Sequence, residues 1–121
     1  MLLDAPCSAT GTIRRHPDLP LIRKPADVAA LVTLQAQLLD RALGFLRPGG
    51  RLLYCTCSLL PEEGEAQISA ALERHAGLRV LPAQGLPLGR PTPEGGWRTL
   101  PGDLPDEGGL DGFYMALVQQ G

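Results

Sequence analysis

Aromatic residues are scarce: two Phe, two Tyr and one Trp make up 4% of the 121 residues. Lysine is scarcer still, with Lys24 alone beside ten arginines, and the formal charge is -2. A chain this poor in aromatic side chains and this short of net positive charge is not a base-stacking or charge-driven nucleic-acid binder of the strong kind. A local basic patch is not excluded. There are three cysteines, an odd number without framework spacing, which argues against a disulfide-stapled secreted fold and for a reducing, cytoplasmic setting. No apolar run reaches the roughly 18–20 residues of a membrane span. The opening MLLDAPCSATG has no basic segment and too short an apolar run for a signal peptide. What remains, 44% apolar and 20% charged residues, is the composition of one globular domain.

The order of elements then reads as α/β. Met1-Leu2-Leu3 is an apolar strand stopped by Asp4-Ala5-Pro6, the way an inner strand of a parallel sheet ends at its carboxyl edge. Residues 8–25 read as loop, with Arg14-Arg15-His16 and prolines at 17, 20 and 25. From Pro25, Val28, Leu31, Val32, Gln35, Leu38, Leu39, Ala42, Leu43 and Leu46 form one helical stripe with a single polar member. Pro48-Gly49-Gly50 ends it. Arg51 to Ser58 is the next strand, completing the strand–helix–strand order of a parallel crossover. Pro61-Glu62-Glu63 opens a second helix through about His75, whose apolar stripe is Ile68, Ala71 and Leu72. Leu78–Leu81 is a short strand. Six prolines and eight glycines between Pro82 and Gly112 read as loop. Phe113–Val118 closes the chain as a strand.

Chemistry concentrates at two strand ends. Asp4-Ala5-Pro6-Cys7-Ser8-Ala9-Thr10-Gly11 places an acid and a thiol where open α/β sheets bind ligands; a turn with an inert cysteine fits the same residues. Tyr54-Cys55-Thr56-Cys57-Ser58 ends the second strand on the same edge, with either a core cysteine or a nucleophilic thiol. Zinc would need four ligands, drawn from Cys7, Cys55, Cys57 and a distant His16 or His75, and no CxxC or HxxxH spacing supports it. Arg14, Arg15 and His16 hang over the same edge, where arginine would suit phosphate. Glu62-Glu63-Gly64-Glu65 reads as the acidic start of a helix.

These residues resemble the RNA (cytosine-5)-methyltransferases, in their ribosomal-RNA and nucleolar-protein branch. Asp4-Ala5-Pro6-Cys7-Ser8 with Thr10-Gly11 is similar to that family's fourth motif, and Thr56-Cys57-Ser58 to its sixth. Gln35, Pro48-Gly49-Gly50, Pro61-Glu62-Glu63-x-Glu65 and Asp111-Gly112-Phe113-Tyr114 follow in family order across essentially the whole chain. The resemblance implies a Rossmann-like sheet of strand order 3-2-1-4-5-7-6, of which residues 1–121 would supply strands 4 to 7 as the carboxyl-terminal part of the catalytic domain. It implies Cys57 as nucleophile toward carbon 6 of cytosine, Cys7 in adduct release, and Asp4 beside the base and the S-adenosylmethionine methyl donor. Arg14, Arg15 and His16 would contact RNA, with ribosomal RNA as substrate and no metal.

The sequence departs from the family at Ala9, where glycine is usual and the loop would be stiffer. It departs again at Gly64, where asparagine is common and the helix turn would be weaker, and at Cys55, a bystander. No G-x-G loop precedes a helix. The donor-binding half and the amino-terminal RNA-binding region are therefore expected to lie outside this chain, which would be truncated, would expose the first strand as an unpaired edge, and would be inactive alone unless a further chain supplied that half. A non-catalytic RNA- or partner-binding module is the alternative.

Overall fold

A computed structural model describes residues 1–13, 15–17, 24–83, 85–103 and 109–121. Its strands are β1 (Leu2–Asp4), β2 (Arg51–Thr56), β3 (Leu78–Leu81), β4 (Arg90–Pro91), β5 (Trp97–Arg98) and β6 (Tyr114–Gln120), and its helices are α1 (Pro25–Gly44) and α2 (Glu65–Arg74). β1 and β2 are parallel, with Leu2 opposite Leu53 and Asp4 opposite Cys55. β6 inserts antiparallel between β2 and β3, pairing Tyr54 with Ala116 and Val80 with Val118. The order β1-β2-β6-β3 is the contiguous 4-5-7-6 half-sheet that the resemblance implies.

Both helices lie against one face. Alternation along β2 and β6 turns Leu52, Tyr54, Tyr114, Ala116 and Val118 toward Leu39 and Leu43 of α1 and Ile68 and Ala71 of α2, and all of these are buried. α1 begins at Pro25, suited to a first helical turn, and the Asp27 carboxylate accepts the Lys24 N–H at 3.1 Å. It stops at Gly44, short of Leu46, and Gly49 then takes a positive φ of 80° that only glycine adopts without strain. The opposite face, carrying Leu53, Leu117 and the exposed Leu2, has no helix over it among the described residues. The far edge of β1 pairs with no described strand.

Three expectations need correction. The segment 82–112 is not wholly loop: β4 and β5 form a short hairpin, and β5 pairs with the start of β6, Trp97 opposite Met115. β2 ends at Thr56, so Cys57 and Ser58 already belong to the following loop, while β6 runs on to Gln120. The second helix does not start at Pro61. Residues Pro61–Glu63 make one 3-10 turn, the chain breaks at Gly64 (φ -132°, ψ -93°), and α2 starts at Glu65.

The physical reason for the break lies in Glu63 and Gly64. The Glu63 carbonyl accepts the Tyr54 hydroxyl at 2.8 Å and the Thr56 hydroxyl at 3.5 Å, which draws this turn onto β2. Gly64 is buried against the Tyr114 ring, where an added Cβ would sit 2.7 Å from Cγ. The glycine is a close-approach residue here, rather than a weakness in a helix turn. Gly64→Ala is therefore expected to lower stability by about 1–3 kcal/mol, the usual cost of overpacking, as read from the urea unfolding midpoint.

Candidate active site at the carboxyl edge of the sheet

β1 and β2 deliver Cys7 and Cys57 to the same edge, and their sulfurs lie 3.5 Å apart. Both are free thiols, well outside a disulfide's roughly 2.05 Å bond length. The loop after β1 is fastened to the loop after β2 by backbone hydrogen bonds. Ala5 N–H donates to the Cys55 carbonyl at 3.0 Å, and Gly11 N–H donates to the Cys57 carbonyl at 2.9 Å. A third loop joins them, Gly112 N–H donating to the Gly11 carbonyl at 2.7 Å. Gly11 has no room for a side chain: a Cβ would overlap the Gly112 carbonyl oxygen and sit 2.8 Å from the Cys57 carbonyl oxygen.

The thiols are not equivalent. Cys57 is brought down to about 7, chiefly by the hydrogen bond that the Cys7 S–H donates to its sulfur, against opposing burial and the nearby Asp4 and Asp111 carboxylates. Cys7 is pushed far up by that same bond and by burial, with Glu63 adding to the effect. Ionising Cys7 as well would put two thiolates in contact, so the pair releases one proton readily and holds the second. Cys55 is pushed up to about 11, first by burial and then by the Asp4 charge. Its S–H faces the Leu3 carbonyl oxygen at 3.7 Å and an Asp4 carboxylate oxygen at 3.9 Å. The lowered pKa of Cys57 favours its thiolate form, the state in which a cysteine attacks.

Asp4 lies exposed at the end of β1, on the strand neighbouring Cys55. Arg15 is exposed and gripped in two-point fashion by Asp111, Nε at 3.0 Å and Nη2 at 2.6 Å, which raises its pKa further. His16 is exposed nearby in sequence. Arg14 lies outside the described residues. Among the described residues no group of His, Cys, Asp or Glu is arranged to hold a metal ion.

Two participants were not singled out from sequence. Glu63, read there as an acidic helix start, is fully buried, and its carboxylate accepts four hydrogen bonds. Ser8 N–H, at 2.9 Å, and Gln35 Nε2, at 2.8 Å, donate to Oε2. The Ser8 hydroxyl, at 2.5 Å, and the Ser58 hydroxyl, at 2.6 Å, donate to Oε1. Four converging donors are the complement of a carboxylate, which only accepts. Gln35, the one polar member of the α1 stripe, is buried to make this contact and another to the Pro6 carbonyl at 2.8 Å. Its burial at a core position was the available signal. The other participant is Arg98, also buried, which donates to the Ser58 carbonyl and to the Glu65 carboxylate and lies 5.3 Å from the Tyr114 ring centroid. It sits in a segment that reads as loop, and nothing local marks it.

Ala9 shows the cost of its departure from glycine. Its φ is +60°, left-handed backbone in a non-glycine residue, and it is held there by Thr12, whose N–H and hydroxyl both donate to the Ala9 carbonyl at 2.9 and 2.7 Å. Ala9→Gly is expected to stabilise the fold by about 0.5–1 kcal/mol, measured by thermal unfolding. The thiol pair gives a second expectation. Alkylation of Cys57 by iodoacetamide, mapped by peptide mass spectrometry, should rise through a midpoint at about pH 7 and level off above it. Cys7→Ala removes the donor and should move that midpoint up toward an ordinary thiol value, whereas Cys7→Ser keeps an O–H donor and should move it less. An unshifted midpoint in Cys7→Ala would show that the neighbouring thiol is not the cause.

With this geometry in hand, the likeness to known proteins is direct. Residues 1–119 match the model of the family described as 16S rRNA methyltransferase RsmB/F. The chain is 49% identical to the ribosomal RNA small subunit methyltransferase B of Erwinia tasmaniensis, covering 99% of this chain and 26% of that protein. It therefore spans about a quarter of the length of the curated relatives it matches. A crystal structure of a methyltransferase homolog protein from Pyrococcus horikoshii superposes with a TM-score of 0.76 at 34% identity, over 98% of this chain and 38% of that one. The crystal structure of NSun6 from Pyrococcus horikoshii with SFG gives 0.78 at 29% identity, over 98% and 29%. The thiol-bearing half-sheet of residues 1–121 belongs to the RsmB/F family of 16S rRNA methyltransferases.

Proposed function

We propose that this chain carries the covalent-catalysis part of an enzyme that methylates carbon 5 of cytosine in ribosomal RNA, with Cys57 as nucleophile. The observation that supports this most is the 3.5 Å pair of thiols, of which Cys57 is the one brought down to about 7. Carbon 5 of cytosine is a poor nucleophile. When the Cys57 thiolate adds to carbon 6, the electrons of the 5,6 double bond move into the ring and leave carbon 5 enamine-like. A donor bound beside it, S-adenosylmethionine, would supply an electrophilic methyl group. Loss of the carbon 5 proton then re-forms the double bond and expels Cys57 as thiolate.

Cys7 fits the release step for a physical reason. Its high pKa comes first from its hydrogen bond to Cys57. Once the Cys57 sulfur is bound to carbon 6 it carries no charge, and that restraint on Cys7 is gone. Cys7 then ionises more easily, at the stage where a base is needed for the carbon 5 proton. Asp4, exposed at the same edge, would contact the base or the methyl donor. The NSun6 neighbour was solved with SFG, an analogue of S-adenosylmethionine. In this chain Asp4 is the residue assigned to that group, and no G-x-G loop is present in the sequence. The remaining donor contacts and further RNA contacts are assigned to residues outside 1–121, in the same polypeptide or in another chain. The unpaired edge of β1 and the exposed Leu2 support a strand from that region joining the sheet there. Arg14, Arg15 and His16 are proposed to meet RNA phosphate, Arg15 exchanging Asp111 for it.

In the enzyme that contains these residues, Cys57→Ala is expected to lower methylation by roughly 10³-fold or more and to abolish the covalent RNA adduct. Cys7→Ala should instead let the adduct accumulate. A denaturing gel of labelled RNA reads both, and an adduct persisting in Cys57→Ala would contradict the assignment. The isolated chain should form no 5-methylcytosine with RNA and S-adenosylmethionine; its appearance would contradict placing most donor contacts elsewhere.

A further inference from the structure

Both cysteine motifs continue with serine: Cys7-Ser8 and Cys57-Ser58. The two serines converge on one buried carboxylate. Ser8 gives Glu63 both its backbone N–H and its hydroxyl, and Ser58 gives its hydroxyl. Each serine follows its cysteine directly, so fixing both serines on one side chain fixes the two sulfurs relative to one another. Glu63 is itself held at both ends, by Gln35 at the carboxylate and by Tyr54 and Thr56 at the carbonyl. The remaining links between the loops reinforce this. Thr10 Oγ1 accepts the Leu59 N–H at 2.9 Å, and Ser58 Oγ accepts the Leu60 N–H at 3.0 Å.

We infer that Glu63 is a positioning residue that sets the distance between the two reactive thiols, acting through the serine that follows each cysteine. It touches no reacting atom; its work is done through Ser8 and Ser58. The inference deepens the reading of Cys7 and Cys57 as a working pair, but the apposition it explains is a property of the chain alone. A buried carboxylate suits the task because one rigid group accepts from several directions at once, and its donors cannot drift to water without leaving a charge unpaired. Among the described residues, the charged and titratable groups facing the pair from the surrounding elements are Asp4, Tyr54, Cys55, Arg15, Asp111 and Glu63. Of these, Glu63 is the one bonded to both cysteine loops.

The test needs neither RNA nor methyl donor. Diamide, a diazene oxidant, takes two electrons and two protons from the two thiols: Cys7 and Cys57 become one disulfide and the N=N bond becomes a hydrazine. Closure and iodoacetamide alkylation both scale with the thiolate fraction of Cys57, which cancels in their ratio, but only closure also requires the Cys7 sulfur to be held beside it. The ratio of the two rates therefore isolates apposition. In the full chain, Ser8→Ala combined with Ser58→Ala is expected to lower the ratio by about tenfold. Glu63→Ala should do the same where it folds, and the serine variants carry the test where it does not. Glu63→Gln keeps an oxygen for Ser8 N–H and Gln35 and an amide that the two rotatable hydroxyls can accept, so it should restore most of the ratio. A lowered unfolding temperature with faster alkylation and an unchanged ratio is the signature of a purely structural glutamate, and it would overturn the inference. Because methylation is not read, failure here leaves the nucleophile assignment standing. An adduct that survives Cys57→Ala would remove that assignment and leave the clamp.

Discussion

A carboxylate taken out of water loses several kcal/mol of hydration unless donors replace it, and the donors that surround Glu63 come from three separate parts of the chain. Ser8 follows the first strand, Gln35 sits midway along the long helix, and Ser58 follows the second strand. The sheet edge, the helix and both cysteine loops must be in place together for this group to be buried at all. That requirement explains why the turn at Pro61–Glu63 bends onto the sheet instead of opening a helix, and why Gly64 must lie flat against Tyr114. It also explains a buried glutamine on an otherwise apolar stripe, with Gln67 donating to both Gln35 and the Val32 carbonyl behind it.

The rest of the site is arranged around that anchor. Gly11 and Gly112 let two backbones cross at contact distance, which brings the loop carrying Asp111 over the thiols. Arg98 reaches from the hairpin to the Ser58 carbonyl and so ties the second cysteine loop from its other side. The carboxylates of Asp4 and Asp111 oppose ionisation of Cys57, and the Cys7 hydrogen bond overcomes them. The balance between a contact of 3.5 Å and longer-range charge is what sets one thiol apart from its neighbour.

Much of the fold is legible along the chain because it rests on local signals. Pro48-Gly49-Gly50 stops a helix wherever it occurs, and the period of Leu39, Leu43 and Leu46 marks the face that the sheet covers. Cys7 and Cys57 could be placed on one edge from strand direction alone. Other features depend on partners remote in sequence. The Arg15–Asp111 pair spans 96 positions, so a basic loop read locally shows no partner. β4 and β5 are two residues each, too short for any periodicity to register, and they form because β6 offers an edge. Glu63 reads locally as a helix start because acidic residues in a first helical turn are ordinary. Only the arrival of two serines from 55 and 5 positions away makes this one different.

Native-state hydrogen exchange at the Ser8, Gly11 and Leu59 amides tests the central claim most directly. Each donates to a group on another segment of the site: Ser8 to Glu63, Gly11 to the Cys57 carbonyl and Leu59 to Thr10 Oγ1. If a single buried carboxylate locks these loops together, the three amides exchange as slowly as those of β2 and β6, by opening that requires global unfolding. If they exchange at the rate of an exposed loop while the sheet stays protected, the loops are not held by the fold, and the thiol pair is not a fixed feature of the molecule.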